Sequence, residues 1–225
     1  MKRFIIIFSL AALISSPVIA APTVTVTQFT GYFSPGGGEI TATPSAELSW
    51  VLAYYDSKAK IGDRFQTFCM EVGESFSDGT TYAAQLTNKA IAGGVGPTGD
   101  PLSQGTAWLY HEFQNGTLAN YNYTVGAPRV ASADALQDTI WWLEGEIGDP
   151  GAGNVFRNDV ITKFGTAVTA MADNNGLYQV AVLHLKTLAG GPAQDMLVCI
   201  PAPGALLLVS MGVGLIGVLK RRKTL

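Results

Sequence analysis

The chain has 225 residues, of which 48% are hydrophobic, 10% aromatic and only 14% charged, and its formal net charge is −3 at pH 7. The aromatic content excludes an intrinsically disordered chain, which would be polar and poor in aromatics, and glycine without a period of three excludes collagen. Two cysteines exclude a zinc domain built on cysteines, and the net negative charge argues against a nucleic-acid partner, which requires a basic face.

The first 21 residues have the pattern of a secretory signal peptide. Lys2 and Arg3 precede an apolar run at 4–13, and small residues follow at 15–21. A charged start, a short apolar core and a small-residue cleavage site are typical of a segment removed on export. We predict cleavage after Ala20 or Ala21. A retained membrane anchor is the alternative, but the run is shorter than the roughly 20 residues that a span needs.

Residues 22–199 are expected to form one exported domain. This range contains eight of the 14 basic residues and all 17 acidic residues, so its formal net charge is −9. Such a charge keeps a domain soluble and repels anionic polymers. No stretch has the regular acidic spacing of a calcium loop. The sequence therefore predicts no metal and no cofactor.

The pattern of apolar residues predicts strands early and late in this domain, with helices between them. The predicted strands are 23–29, 39–43, 50–55, 64–72, 80–86, 177–188 and 196–200. The predicted helices are 103–115, 131–146 and 155–172, and loops are expected at 34–38, 92–100 and 149–153. We therefore predict an α+β fold with a mainly antiparallel β core, either a sandwich or a barrel, and a helical insert.

Residues 200–225 form a three-part C-terminal segment. A proline motif, Pro201-Ala202-Pro203, begins it, and no charged residue lies between Asp195 and Lys220. These 24 uncharged residues are enough to cross a bilayer as a transmembrane helix. The basic tail that follows should stay cytoplasmic, so the preceding domain would face outward.

This segment resembles the PEP-CTERM sorting signal of bacteria that secrete extracellular polymers. The resemblance implies that an exosortase-type sorting protease processes the segment, with Pro201, Ala202, Pro203, Arg221 and Arg222 as the sorting motif. It also implies a transient membrane anchor and a final place at the cell surface or outside the cell. Ala202 departs from the family motif, which has glutamate at that position. A plain C-terminal anchor is the alternative.

The residues for hydrolytic chemistry are sparse. No metalloprotease or serine-hydrolase motif is present, and His184 lies in a strand-like run, where a structural role is typical. The carboxylate pairs Glu144 with Glu146, and Glu71 with Glu74, have spacings that a glycosidase can use. An extracellular hydrolase acting through Glu144 is therefore a third hypothesis, behind the two that follow.

Cys69 and Cys199 are the two cysteines of the chain. Export favours a disulfide between them, provided that their Cα atoms come within about 7 Å. A buried free thiol is the other structural interpretation of Cys69. In either case Cys69 is structural, and the domain is a non-covalent structural or extracellular-matrix binding module.

Two short motifs favour a different role for Cys69. Residues 68–70 read aromatic–Cys–apolar, and residues 136–141 read apolar–Gln–x–x–apolar–Trp. Together they resemble the thioester domains of bacterial surface adhesins. The resemblance implies that Cys69 attacks the side-chain amide of Gln137 and expels ammonia. It implies an internal thioester, covered by Trp141 and open to an amine on a surface or matrix partner. Such a protein reacts once and is not an enzyme.

Overall fold

The structure is a computed structural model that describes residues 21–91 and 99–201. Three predicted segments lie wholly or largely outside these ranges: the signal peptide, the loop at 92–100, and the sorting signal with its transmembrane helix at 200–225. Only residue 21, residues 99–100 and residues 200–201 of those segments are described. Within the two described ranges, no helix is both long enough and apolar enough to cross a membrane.

The described ranges contain strands at both ends and helices between them, as predicted. The strands are β1 Thr23–Thr27, β2 Ile40–Pro44, β3 Phe65–Thr67, β4 Thr80–Thr87, β5 Lys89–Ala90, β6 Asp100–Pro101, β7 Val180–Lys186 and β8 Met196–Cys199. The helices are α1 Gln104–Gln114, α2 Ala127–Leu143, α3 Val155–Phe164 and α4 Ala167–Ala170. Two short 3-10 helices cover Ser49–Tyr54 and Ser57–Ala59.

Six strands form one antiparallel sheet in the order β3-β2-β1-β4-β7-β8, and β5 pairs with β6 in a separate small sheet. Alternation along β1 sets the two faces of the sheet. Val24 and Val26 are buried, whereas Thr25 between them is only partly buried. Successive side chains of a strand point to opposite faces, so β1 directs its valines into the core.

The sheet nearly closes on itself, because β8 bonds to the chain just beyond β3. The N–H of Leu197 donates to the carbonyl of Phe68 at 3.2 Å, and the N–H of Met70 donates to the carbonyl of Asp195 at 2.9 Å. These bonds join the first and last strands of the sheet order. The predicted α+β class with an antiparallel core is confirmed, and its sheet is nearly closed.

Helix α2 occupies the centre of the helical insert between β6 and β7. It begins after Gly126, whose φ of 129° suits glycine, and Pro128 lies in its first turn. It buries residues on more than one side, because it packs against α1 and α3 and its Gln137 bonds to Cys69, just beyond β3. Its buried residues are Arg129, Ala133, Leu136, Gln137, Thr139, Ile140, Trp142 and Leu143.

The strand predicted at 50–55 is wrong. Residues Ser49–Tyr54 form a 3-10 helix, in which the N–H of Val51 donates to the carbonyl of Leu48 at 3.0 Å. Of this helix only Val51 is buried, and the Trp50 and Tyr54 side chains are exposed. An apolar aromatic run predicts burial and does not by itself distinguish a strand from a short helix.

Two other predicted elements are shorter than expected. The helix predicted at 155–172 divides at Gly165, whose φ of 80° ends α3 in a conformation that suits glycine. Thr166 then caps α4 by accepting the N–H of Thr169. The strand predicted at 64–72 ends as a strand at Thr67, because the following residues change partner from β2 to β8.

A buried ion pair fixes the start of β2 to α2. The guanidinium of Arg129 binds Glu39 through two hydrogen bonds, Nε to Oε2 at 2.7 Å and Nη2 to Oε1 at 2.5 Å. The two residues are 2% and 0% exposed. Tyr121 donates to the same carboxylate at 2.6 Å, and Arg129 also donates to the carbonyls of Tyr123 and Lys58. Every charge in this pair is thus hydrogen-bonded, as a buried ion pair requires.

Candidate functional site

The structure brings Cys69 and Gln137 together, although they are 68 residues apart in the chain. The N–H of Cys69 donates to Oε1 of Gln137 at 2.9 Å. In return, Nε2 of Gln137 donates to the carbonyl oxygen of Cys69 at 2.8 Å. Cys69 is 3% exposed and Gln137 is 0% exposed. The carboxamide therefore lies in a dry site, held flat against the main chain of the cysteine.

The course of the strands explains why Gln137 takes this position. Ile40 pairs with Thr67, and β2 extends no further toward Cys69. The neighbours of Cys69, Phe68 and Met70, bond to β8 on the other side. The N–H and carbonyl of Cys69 would therefore be buried without partners, which is costly. The side-chain amide of Gln137 supplies both missing bonds and takes the place of a neighbouring strand.

A glycine-rich loop at 34–38 covers Gln137 from the side of β2. A Cβ atom placed on Gly37 would lie 2.5 Å from Cη2 of Trp141 and 3.6 Å from Cγ of Gln137. A Cβ atom on Gly38 would lie 2.9 Å from the carbonyl carbon of Ala133. The loop main chain thus lies directly on α2. The sequence showed three consecutive glycines but gave no indication of what they approach.

One hydrogen bond fastens this loop to α2. The hydroxyl of Ser34 donates to Oδ1 of Asp134 at 2.7 Å, and the N–H of Gly36 donates to the same hydroxyl oxygen at 3.3 Å. Neither Ser34 nor Asp134 was expected at this site. Their contact joins positions 100 residues apart, and neither residue carries a motif that would have revealed it.

Trp141 lies one helical turn after Gln137 and is partly buried against the core. A Cβ atom on Gly37 would meet both side chains, so the loop main chain passes close to the indole and the carboxamide. The Nε1 atom of Trp141 is buried, and no atom of the described residues accepts its hydrogen bond. The position agrees with the predicted covering role of Trp141, which stays a prediction.

The electrostatics of the site keep the thiol protonated. Burial raises the pKa of Cys69 far above its ordinary value, and the negative charge of Glu74 raises it further. A free thiolate is therefore disfavoured in this dry environment. A thioester, which is neutral, suffers no such penalty, and the same dryness would protect it from hydrolysis.

The disulfide proposed between Cys69 and Cys199 is absent, and both cysteines are free and buried. The register explains this. Cys69 lies opposite Met196 in an antiparallel bridge, and Cys199 is three residues further along β8. Three residues of a strand span about 10 Å, which exceeds the Cα separation of about 7 Å that a disulfide allows. The disulfide interpretation is therefore wrong.

The other candidate residues have structural contacts. Glu144 accepts hydrogen bonds from the hydroxyl of Ser103 at 2.8 Å and from its N–H at 3.3 Å, which ties the end of α2 to the start of α1. His184 lies with Nδ1 at 2.6 Å from Oδ1 of Asp195, and both residues are buried. These contacts support the structural role predicted for His184. They give Glu144 a structural role as well.

A cavity of about 850 Å³ lies elsewhere, lined by residues that include Trp50, Tyr178, Ile200 and Pro201. Neither Cys69 nor Gln137 lines it. Across 21–91 and 99–201, no group of three or more His, Cys, Asp or Glu residues could hold a metal ion. Searches for a related protein family, a related curated protein and a similar solved structure found no match.

Replacing Gly37 with Ala tests the contact between the loop and α2. The added methyl would overlap Trp141, and a φ of 97° strains any L residue. Overpacking typically costs about 1–3 kcal/mol, so we expect a loss of that size in the free energy of unfolding, measured with urea. Gly62→Ala is the matched control: φ there is 57° and nothing lies within 4 Å. Equal losses in both variants would contradict the contact.

Proposed function

We propose that the chain is an exported, exosortase-sorted surface or matrix protein that attaches covalently to amine-bearing partners through a thioester between Cys69 and Gln137. The observation that carries the proposal is the reciprocal pair of hydrogen bonds between the Gln137 carboxamide and the Cys69 main chain. Enforced proximity is the main requirement for making a poor electrophile such as an amide react.

Thioester formation balances without any further reactant. The sulfur of Cys69 bonds to Cδ of Gln137, the bond from Cδ to Nε2 breaks, and the thiol proton leaves with the nitrogen as ammonia. Negative charge develops on Oε1 during the attack. The Cys69 N–H, 2.9 Å from that oxygen, is placed to stabilise this charge. Because burial disfavours a thiolate, the proton is expected to leave sulfur as the C–S bond forms.

The same site accounts for the second step. An amine of a partner attacks the thioester carbonyl, the C–S bond breaks, and the amine proton returns to the sulfur. The product is an amide bond between Gln137 and the partner, with Cys69 again a thiol. Loop 34–38 and Trp141 would exclude water until a partner arrives. Each chain reacts once, so the protein is not an enzyme under this proposal.

The two ends of the chain supply the proposed location. The leader at 1–21 would direct export, and the segment at 200–225 would hold the protein in the membrane until an exosortase-type protease processes it. Both proposals rest on the sequence pattern alone. They place an acidic domain outside the cell, where an amine on a matrix or neighbouring surface is accessible.

Intact-mass spectrometry of the exported protein tests the proposed thioester. We expect a mass lower by one ammonia than its termini predict, and addition of one whole amine on incubation with methylamine. Cys69→Ala and Gln137→Ala should both show the full expected mass and should not gain the mass of methylamine. Cys199→Ala, which removes the other buried thiol, should retain both.

An unshifted wild-type mass that is indifferent to methylamine would contradict the thioester. Gln137 would then be a structural glutamine that satisfies the main chain of Cys69, and the protein would be a non-covalent matrix-binding or structural module. A deficit that persists in Gln137→Ala would place the acyl group elsewhere.

A further inference from the structure

Two adjoining cavities lie at one end of the main sheet, where β4 and β8 end and β7 begins. The larger has a volume of about 850 Å³ and the smaller a volume of about 380 Å³. Gln179 and Ile200 line both of them. Ligand sites typically have volumes of about 300–1,000 Å³, and both cavities fall within this range. Their shared walls make them two parts of one site.

Aromatic rings connect the two cavities. Trp50 lines the larger and Tyr54 the smaller, and their rings meet edge to face with centroids 6.3 Å apart. These side chains are 40% and 38% exposed. Tyr178 of the larger cavity also lies against His111 of the smaller, with ring centroids 5.9 Å apart. The 3-10 helix at 49–54 therefore places two large rings where solvent and a ligand can reach them.

Side-chain amides without partners accompany these rings. Gln114 lines the smaller cavity and is only 4% exposed, and its Oε1 has no hydrogen-bond partner among the described residues. The side-chain amides of Gln179 and Asn88 also bond to none of the described residues. A buried acceptor without a donor is unfavourable, so a ligand that donates to Oε1 of Gln114 would be stabilised. An amide both donates and accepts hydrogen bonds, as a hydroxyl does.

The charge of the lining disfavours an anionic ligand. Among the described residues, no lysine or arginine lines either cavity, whereas Asp56 and Asp173 do. The surrounding range 22–199 has a formal net charge of −9, so a negatively charged ligand would be repelled. Much of the remaining wall of the larger cavity is apolar. Its apolar residues include Leu86, Leu102, Val180 and Ala181.

We infer that the two cavities form a binding site for a neutral oligosaccharide. A sugar ring has an apolar C–H face, which packs on the face of an aromatic ring. Its edge carries hydroxyls, which donate to amide oxygens and accept from amide nitrogens. Trp50 and Tyr54 supply the rings, and Gln114, Gln179 and Asn88 supply the amides. The sugar needs no charge, which agrees with a lining that has no basic residue in the described parts of the chain.

The site lies apart from the proposed thioester. Neither Cys69 nor Gln137 lines either cavity. Cys69 lies opposite Met196, at the start of β8, whereas Cys199 at the end of β8 lines the smaller cavity. The inference therefore goes beyond the proposed function and does not depend on it.

Isothermal calorimetry on the exported Cys69→Ala protein tests the site, because no thioester can form in this variant. The probes are cellohexaose, mannohexaose and N-acetylated chitohexaose, which are neutral, and hexagalacturonic acid, which is anionic. We expect at least one neutral probe to bind and the acid not to bind. Adding Trp50→Ala should weaken that binding by about tenfold or more, the typical worth of a stacked ring. Adding Gln179→Ala should weaken it as well.

Two control variants separate sugar binding from folding. Trp50→Phe keeps an aromatic ring and should retain most of the affinity that Trp50→Ala loses. Leu188→Ala removes a side chain that is 71% exposed and lines neither cavity, so it should leave the affinity unchanged. Circular dichroism checks that each variant is folded.

Four results would overturn the inference. Failure of all three neutral probes to bind would contradict the site. Equal affinity for hexagalacturonic acid would show that the lining does not reject negative charge. Unchanged affinity in Trp50→Ala would place the sugar elsewhere on the protein. Binding of 1-octanol without binding of any sugar would show a site for apolar ligands. The mass experiment on the wild type reports on the thioester separately, so either proposal can fail without the other.

Discussion

Arg129→Met is expected to lower the free energy of unfolding by about 3–5 kcal/mol, the typical cost of removing one partner of a buried ion pair. The variant leaves the carboxylate of Glu39 buried without its opposite charge. Glu39 is 0% exposed and accepts two hydrogen bonds from Arg129. It also leaves the carbonyls of Tyr123 and Lys58 without the donor they have now. Urea unfolding followed by tryptophan fluorescence measures the loss.

Two further variants test whether burial of the Arg129–Glu39 pair is the cause of this loss in the free energy of unfolding. Arg157→Met removes a guanidinium from a pair with Asp149 that is partly exposed, and exposed pairs contribute about 0–1 kcal/mol. Adding Glu39→Gln to Arg129→Met removes the unpaired buried charge and should recover part of the lost free energy of unfolding. If Arg129→Met and Arg157→Met cost the same, burial of the pair is not what stabilises the junction of β2 and α2.

The stability of the wild type relative to Glu144→Gln should fall as pH rises from 4.5 to 7. Burial raises the pKa of Glu144 to about 7 from its ordinary value of 4.5, against the lowering effect of its hydrogen bonds to Ser103. Between these values the unfolded chain releases a proton that the folded chain keeps, so the stabilising contribution present below pH 4.5 is lost by about pH 7. A shift of this size corresponds to about 3 kcal/mol.

Urea titrations at several pH values measure this difference. Glu144→Gln keeps an acceptor for Ser103 and cannot ionise, so effects of the other carboxyls cancel in the comparison. Asp149→Asn serves as a control of opposite sign. Hydrogen bonds from Arg157 lower the pKa of Asp149, so its contribution is lost as pH falls. Parallel curves for the wild type and Glu144→Gln would show that Glu144 ionises equally in both states.

Local sequence patterns predicted most of the regular elements. The apolar face at 131–146 indicated a helix, and α2 covers Ala127–Leu143. The alternating run at 23–29 indicated a strand, and β1 covers Thr23–Thr27. Periodicity reports which residues must be buried, and that requirement acts within one element. It failed at 50–55, where an exposed 3-10 helix has the same composition as a strand.

The sequence indicated only part of the candidate site. The motifs at 68–70 and 136–141 suggested that Cys69 and Gln137 act together, and the structure places the amide of one on the main chain of the other. The loop at 34–38 was predicted as a loop, but its position against α2 and its bond from Ser34 to Asp134 were not foreseen. Each depends on residues distant in sequence, and no local pattern encodes which distant residues meet.

The sequence by itself determined the class of the elements, their order, the acidic charge of the middle of the chain and the apolar character of its ends. These properties follow from composition and from short-range periodicity. Tertiary structure alone decided that β8 joins the chain beyond β3 and that Cys199 lies too far along β8 to reach Cys69. It also decided that the pairing of β2 with β3 stops at Ile40 and Thr67. The N–H and carbonyl of Cys69 are therefore left for the side chain of Gln137. The reason is that buried main-chain groups must find partners wherever packing places them.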